Sequence, residues 1–345
     1  MNVTTRNLFR LLRAGALAEE VAIEPLSAWK WAQLQKAAVQ HGVAALVADG
    51  IARCSDQFFM QIPDGQMEQW HTMTAETEQS NRQQNAALAN LFTQLVNEQT
   101  RPILLKGAAL ACLYDKPLHR KANRTNLYFP YETKAKKADK WVKEHSTETR
   151  ELEKNVVEYK WMDATVENRH RVLTLANTLH NRTLQNIIEE EFCATPPCYI
   201  YIENAKIETL SHTLTLLTII IAMAQEMMNE GFYARQLTDL GVYLRKAGDK
   251  VDYVKLQNWI ERLHLTQFAQ VEGTLLMKLL GFVEEEIPFM ESTTDISRIL
   301  QQELANTSAE QWRLRRSARY FRYYPGESVA SLLTSFAHTL SQIEE

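Results

Sequence analysis

The chain is short of the residues that punctuate a turn-rich fold: its 345 residues include only 11 glycines and 9 prolines. With so few positions for tight turns, an all-β architecture of many short strands is excluded and long helices are favoured. Cysteine is equally sparse. Cys54, Cys112, Cys193 and Cys198 show no CxxC spacing, and none stands at a zinc-ligand interval from a histidine. Cys193 and Cys198 bracket Ala-Thr-Pro-Pro and are close enough in sequence to pair, but reduced thiols in a cytoplasmic protein are the expectation. No charge sign dominates. A net charge of -4 offers no general attraction to nucleic acid or acidic membranes, so any anion site must be a local cluster.

Long hydrophobic runs are also missing. The most apolar stretch, LTLLTIIIAMA from Leu214 to Ala224, is too short to cross a bilayer and ends in Gln225 and Glu226; it reads as a buried helix, and no membrane is expected as a partner. The first twenty residues lack a long apolar segment, being interrupted by Arg10 and Arg13, and do not read as a secretory signal. No GxSxG, HExxH, P-loop lysine motif or Rossmann glycine fingerprint occurs.

What is present is ordinary globular composition, 45% hydrophobic and 23% charged, in a chain long enough for two or three packed units. The spacing predicts a helical region over 1–100: Leu8, Leu11 and Leu12 share a face, Ser27 and Gly42 bound a second helix, and Met67–Glu98 forms one long helix, apolar only in its second half at Leu88, Leu91, Phe92 and Leu95. Over 101–205 the pattern changes to a small α/β core. PILL and NLYF read as short strands, Thr133–Glu144 as a helix, and VVEYKW and ATVEN as two strands joined at Met162–Asp163. Over 206–345 it is helical again, with candidates at 208–229, 233–246, 252–263, 266–280, 294–306, 308–321 and 327–343.

The chemistry concentrates in PILLKGAALACLYDKPLHRKANRTNLYFP, residues 102–130. A strand ending in Lys106-Gly107 and opening a helix aims backbone N–H groups at an anion. LLKGAAL followed by PLHR and a strand resembles the bacterial uncharacterised nucleotidyltransferase family, of the polymerase-β-type superfamily, which typically reads LLKG, then R, two small or polar residues, and GDIDL. TVENRHRVL is similar to the strand carrying that family's third carboxylate, EGFYARQLTDLGVYL to its GIGLRQLCDW helix, RYFRYYPGES to its C-terminal segment, and LLRAGALAEEV fits its start. The resemblance implies an α+β, mainly helical fold, with a small nucleotidyltransferase-type mixed sheet between the two helical regions. It also implies Mg²⁺ held by carboxylates over a triphosphate.

The chain departs from that pattern where it matters. The alignment puts Asn123 on the family's glycine, Arg124 and Asn126 on its two aspartates, and Glu167 on its third carboxylate. Asparagine still offers a neutral oxygen, but arginine offers none, and a guanidinium about 4 Å from a dication is repelled by roughly 8 kcal/mol at an effective dielectric near 20. No metal is therefore expected, and Arg124, Asn126 and Glu167 read as a vestigial catalytic set. The family's histidines before its RQL motif are also missing around Ala224–Glu226.

The remaining candidates concern ligands. Lys106, Gly107, Arg120, Arg124 and Arg235 form a candidate nucleotide or phosphate site, with Lys116, His119 and Lys121 in the same basic loop. A solvated loop left by a decayed site is the competing reading. Arg235 and Asp239 are spaced to line the groove or to pair along one helix. Arg169, two residues beyond Glu167 on a strand, is its expected ion-pair partner, with His170 pointing away. QWRLRRSARYFRYYP interleaves five arginines with Trp312, Tyr320, Phe321, Tyr323 and Tyr324, but reads as a helix packing its aromatics, so nucleic acid is not expected. The function expected is that of an inactive or impaired nucleotidyltransferase homologue, binding a nucleotide, phosphate or protein partner through the inherited cleft. A transferase with rearranged metal ligands and a purely structural interaction protein are the alternatives.

Overall fold

A computed structural model describes residues 1–153, 155–300 and 320–331. Three helices lead: α1 (Val3–Leu17), α2 (Ala28–Gln40) and α3 (Ala44–Arg53). Gly42, at φ 67°, ends α2 as the spacing predicts; Ser27 stands at its N-cap but makes no side-chain bond there. α1 and α3 cross with their backbones in contact: a Cβ on Gly15 would meet the Leu46 carbonyl oxygen at 2.0 Å, and one on Gly50 the Leu11 carbonyl oxygen at 2.0 Å. Glycine at both positions is thus a packing requirement.

The long helix α4 (Asp64–Asn97) starts three residues before the predicted Met67 and ends one before the predicted Glu98, and its second half buries the predicted Leu88, Leu91, Phe92 and Leu95. These residues pack with Ala135, Ala138 and Val142 of α6 (Glu132–His145) against one face of a seven-stranded sheet. The strands are β1 (Ile103–Leu104), β2 (Thr125–Tyr128), β3 (Thr147–Glu153), β4 (Val156–Trp161), β5 (Ala164–Arg169), β6 (Cys198–Ile202) and β7 (Ala205–Thr209), in the order β3-β4-β5-β2-β1-β7-β6. β2 pairs antiparallel to β1 and parallel to β5, and β1 runs parallel to β7, so the sheet is mixed.

β4 and β5 join at Met162 and Asp163, as read from the sequence; both have positive φ, the two-residue hairpin geometry. Strands β3, β6 and β7 and the helix α7 (Thr178–Ala194) add to the predicted elements. The helix expected from 208 begins later, as α8 (His212–Asn229), because Ile207 turns into the sheet core and holds Glu208 and Thr209 in β7. Likewise AALACLY is helical only as α5 (Ala108–Ala111).

The other face of the sheet meets the larger core, built on α8, α9 (Ala234–Ala247), α10 (Tyr253–Arg262) and α11 (Thr266–Leu275), which continues to Leu280 as a π-turn in place of the even helix expected over 266–280. Ile296, Ile299, Tyr320 and Tyr324 belong to this core as well. Tyr320 and Tyr324 are fully buried, Tyr324 stacks on His180 at 5.8 Å, and Glu327 accepts the Ala176 and Asn177 N–H groups ahead of α7. This portion of the arginine–tyrosine segment packs its aromatics as core. The rest of that segment, including Trp312, Arg315 and Arg319, lies outside the described residues, as does most of the candidate helices at 308–321 and 327–343.

The basic loop between α5 and β2 is stitched into this frame. Asn81 of α4 donates to the Leu118 and Arg120 carbonyls, at 2.7 and 2.9 Å. His119 is buried with Nδ1 2.7 Å from Asp49 of α3 and Nε2 2.7 Å from Glu78 of α4, and Lys116 also pairs with Asp49. Ionised carboxylates only accept hydrogen bonds, so a ring donating to both must carry both protons. The Asp49 hydrogen bond, supported by Glu78, accordingly raises the His119 pKa despite burial. This clamp stabilises fully below the ordinary histidine value, about 6.5, and is lost as pH rises through the raised folded value. Thermal melts from about pH 6 to 9 should show the wild type losing stability relative to His119→Gln; parallel curves would refute the clamp.

Candidate functional site

Alternation along the strands builds the site. Leu127, Val157, Tyr159 and Val166 point into the core under α4 and α6, so their strand neighbours Arg124, Asn126, Glu158, Glu167 and Arg169 stand on the opposite face. Glu158 and Glu167 are directly opposite one another on β4 and β5, and both are buried. Like charges in that register repel. Arginine cancels the repulsion: Arg124 Nη1 lies 2.6 Å from Glu167 Oε1 and 3.6 Å from Glu158 Oε2, while Arg150 of β3 holds the other Glu158 oxygen. Arg169 binds the second Glu167 oxygen and donates through Nε to Asn126 Oδ1 at 3.1 Å. Burial opposes ionisation of Glu167, but Arg169 and Arg124 outweigh it and hold its carboxyl below the usual range.

Arg124, Asn126 and Glu167 are therefore joined in one network, and the expected Glu167–Arg169 pair is part of it. His170 turns to the other side, where Nε2 meets Asp139 at 2.6 Å. The network does not fit magnesium. Both Glu167 oxygens are engaged by guanidinium groups, the Asn126 oxygen is engaged as well, and Arg124 brings its own charge to the spot. Among the described residues no group of three His, Cys, Asp or Glu side chains is arranged to hold a metal ion.

The proposed ligand residues divide differently from their sequence grouping. Gly107, at φ 73°, turns the chain from β1 into α5, and a Cβ there would press the Arg124 carbonyl at 3.3 Å. With a single helical turn behind it, the turn carries little helix dipole. Arg120 is buried and faces inward: Nε and Nη2 grip the two oxygens of Asp239 on α9, at 2.6 and 2.7 Å, and Nη1 donates to the Gly107 carbonyl at 3.0 Å. Tyr114 donates to the same Asp239 at 2.7 Å. Asp239 thus pairs with Arg120 rather than along its helix with Arg235. Arg235 instead reaches the Lys121 carbonyl at 3.5 Å and stays part-exposed.

Lys106 behaves unlike the others. It is partly buried, yet its amine makes no hydrogen bond or ion pair among the described residues. Burial lowers its pKa, with Glu226 opposing and Arg169 and Arg235 reinforcing. Across the cleft on α8, burial raises the pKa of Glu226, with Lys106 and Arg235 opposing. Perturbed, unsatisfied groups of this kind gather at functional sites. Lys106, Glu226 and Arg235 are thus within electrostatic reach of one another, and Lys106 also of Arg169. Glu226 was not among the candidates, although a polar residue closing the apolar run of α8 was its signal. All four cysteines are free, and no helix among the described residues is long and apolar enough to cross a membrane.

A model of the uncharacterised nucleotidyltransferase family matches residues 27–281 of the chain. No curated protein and no solved structure matches it. The charge network makes its own prediction. Arg124→Ala leaves a buried Glu167 oxygen unsatisfied and should cost about 1–3 kcal/mol, towards the lower end because Arg124 is half exposed. Since Glu167 has a depressed folded pKa, the contribution is present above the ordinary carboxylate value and lost as pH falls through the folded one. Urea denaturation should therefore show wild type and variant converging in acid; a constant difference would contradict the network.

Proposed function

The chain belongs to the uncharacterised nucleotidyltransferase family, and from that premise we propose that its cleft binds a phosphate-bearing anion, such as a nucleotide, without metal and without transferring a nucleotidyl group. The observation that carries this reading is Arg124 on Glu167. A fixed cation stands on the carboxylate which, by the family likeness, would have held Mg²⁺. In two-metal transfer the ions activate the attacking oxygen and stabilise the leaving one. A guanidinium neutralises anionic oxygens but offers no coordination site for a nucleophile, so binding is retained while the chemistry is lost.

The anion contacts are Lys106, whose amine makes no hydrogen bond or ion pair among the described residues, Arg235, and the exposed side of Arg124. Arg120 contributes indirectly. Its pair with Asp239 fixes α9, and with it Arg235, beside the Gly107 turn.

Calorimetry with ATP in excess chelator tests the reading. Binding should persist without Mg²⁺, weaken as salt screens the exposed cations, and fall roughly ten- to a hundredfold in Lys106→Ala or Arg235→Ala, the range for loss of a charge-assisted contact. Mg²⁺ should leave the melting temperature of the wild type unchanged and raise that of the Arg124→Asp, Asn126→Asp double variant, because a ligand stabilises only a state that binds it. Binding abolished by chelator, or transfer of label from the nucleotide, would overturn the proposal.

A further inference from the structure

Behind Lys106 lies a pocket that the cleft alone does not explain. It has a volume of about 60 Å³ and sits between α5, α8 and the β6–β7 hairpin, with walls that include Leu105, Leu110, Leu113, Ile200 and Ile219. Its polar lining groups are turned to one another. Tyr243 donates its hydroxyl hydrogen to the His212 carbonyl at 2.9 Å and faces His212 Nδ1 at 3.3 Å. Thr218 donates to the Thr215 carbonyl at 2.8 Å, and the Thr215 side chain hydrogen-bonds Tyr243. Burial and the nearby Lys250 lower the His212 pKa, with Asp249 opposing. These pairings engage the Tyr243 and Thr218 hydroxyls, and the remaining lining is mostly apolar.

Lys106 is the charged residue of this lining, and it belongs to the cleft as well. A ligand occupying both has a fixed polarity, with its anionic head at Lys106 and its apolar part towards Tyr243. The size of that part follows from the volume. A cavity of about 150 Å³ accommodates benzene and one of 10–15 Å³ a single water, so about 60 Å³ suits a chain of roughly three or four carbons.

We propose that this pocket is a subsite for a short aliphatic chain carried on the anion that Lys106 binds, so that the ligand class is a phosphomonoester or carboxylate with a tail of about four carbons. The proposal rests on the anion reading of the cleft, and its test separates the two. Affinities of inorganic phosphate and of methyl, ethyl, propyl, butyl and octyl phosphate are measured by calorimetry on the full chain, with butyrate as the carboxylate arm.

Each methylene up to butyl should tighten binding about fourfold, the equivalent of about 0.8 kcal/mol, and octyl should gain nothing further. Ala109→Phe and Ile219→Phe each fill the pocket and should flatten the series while leaving inorganic phosphate unchanged; Lys106→Met should weaken all members alike. The wild-type series alone decides the matter if either filled variant misfolds. Phosphate binding with no dependence on chain length, or a dependence that survives filling, would overturn the subsite and leave the cleft reading standing. Chain-length dependence in butyl phosphate or butyrate without binding of phosphate itself would uphold the subsite and remove the phosphate reading. Binding of none of the probes would end both.

Discussion

The pair between Arg120 and Asp239 is the constraint on which the cleft depends. Both side chains are buried, and burial of an unpaired charge would be prohibitive. Each is therefore obliged to find the other, and satisfying the remaining donors and acceptors recruits the Tyr114 hydroxyl and the Gly107 carbonyl. The result joins three pieces distant in sequence: the turn after β1, the loop before β2 and helix α9. Because Gly107 is held by Arg120, Lys106 is carried to a set place; because Asp239 is held, Arg235 one turn earlier faces the same opening.

Around this lock most cations of the basic loop are paired with carboxylates of the frame. Lys116 and His119 are spent on Asp49 and Glu78, Arg120 on Asp239, and Arg124 on Glu167. A loop dense in positive charge thereby fastens the N-terminal helices, the sheet and the C-terminal helices together. Lys106 stands apart, because the fold buries it in part and its amine makes no hydrogen bond or ion pair among the described residues.

The charge network on the sheet face away from α4 and α6 is set out by strand register. Strand alternation still presents positions 124, 126 and 167 to one side, and the parallel register still sets Asn126 beside Glu167. The side chains now satisfy one another, with arginines answering the two opposed glutamates. The backbone arrangement is independent of that exchange, since it is set by Leu127, Val157, Tyr159 and Val166 on the covered face. Fold and site chemistry are thus separable here.

The sequence by itself determined what depends on near neighbours: the long α4, the β1 turn at Gly107, the β4–β5 hairpin, and the shared face of Arg124, Asn126 and Glu167, because strand and helix periods are local. It was less informative at β3, where TETRELE is an edge strand carrying charge on both faces, as unpaired edges commonly do. At β7 the helical pattern of the following run concealed a short strand. Only the tertiary structure decided which charges remain available. Arg120 and Arg235 look equally suited to a ligand in sequence, but one meets Asp239 from 119 positions away while the other stays at the rim. Glu226 acquires its perturbed character from burial under segments distant in sequence, with Lys106 and Arg235 opposing the shift. Availability of a charged group is set by its partners and its burial, and these come from distant segments that no local period encodes.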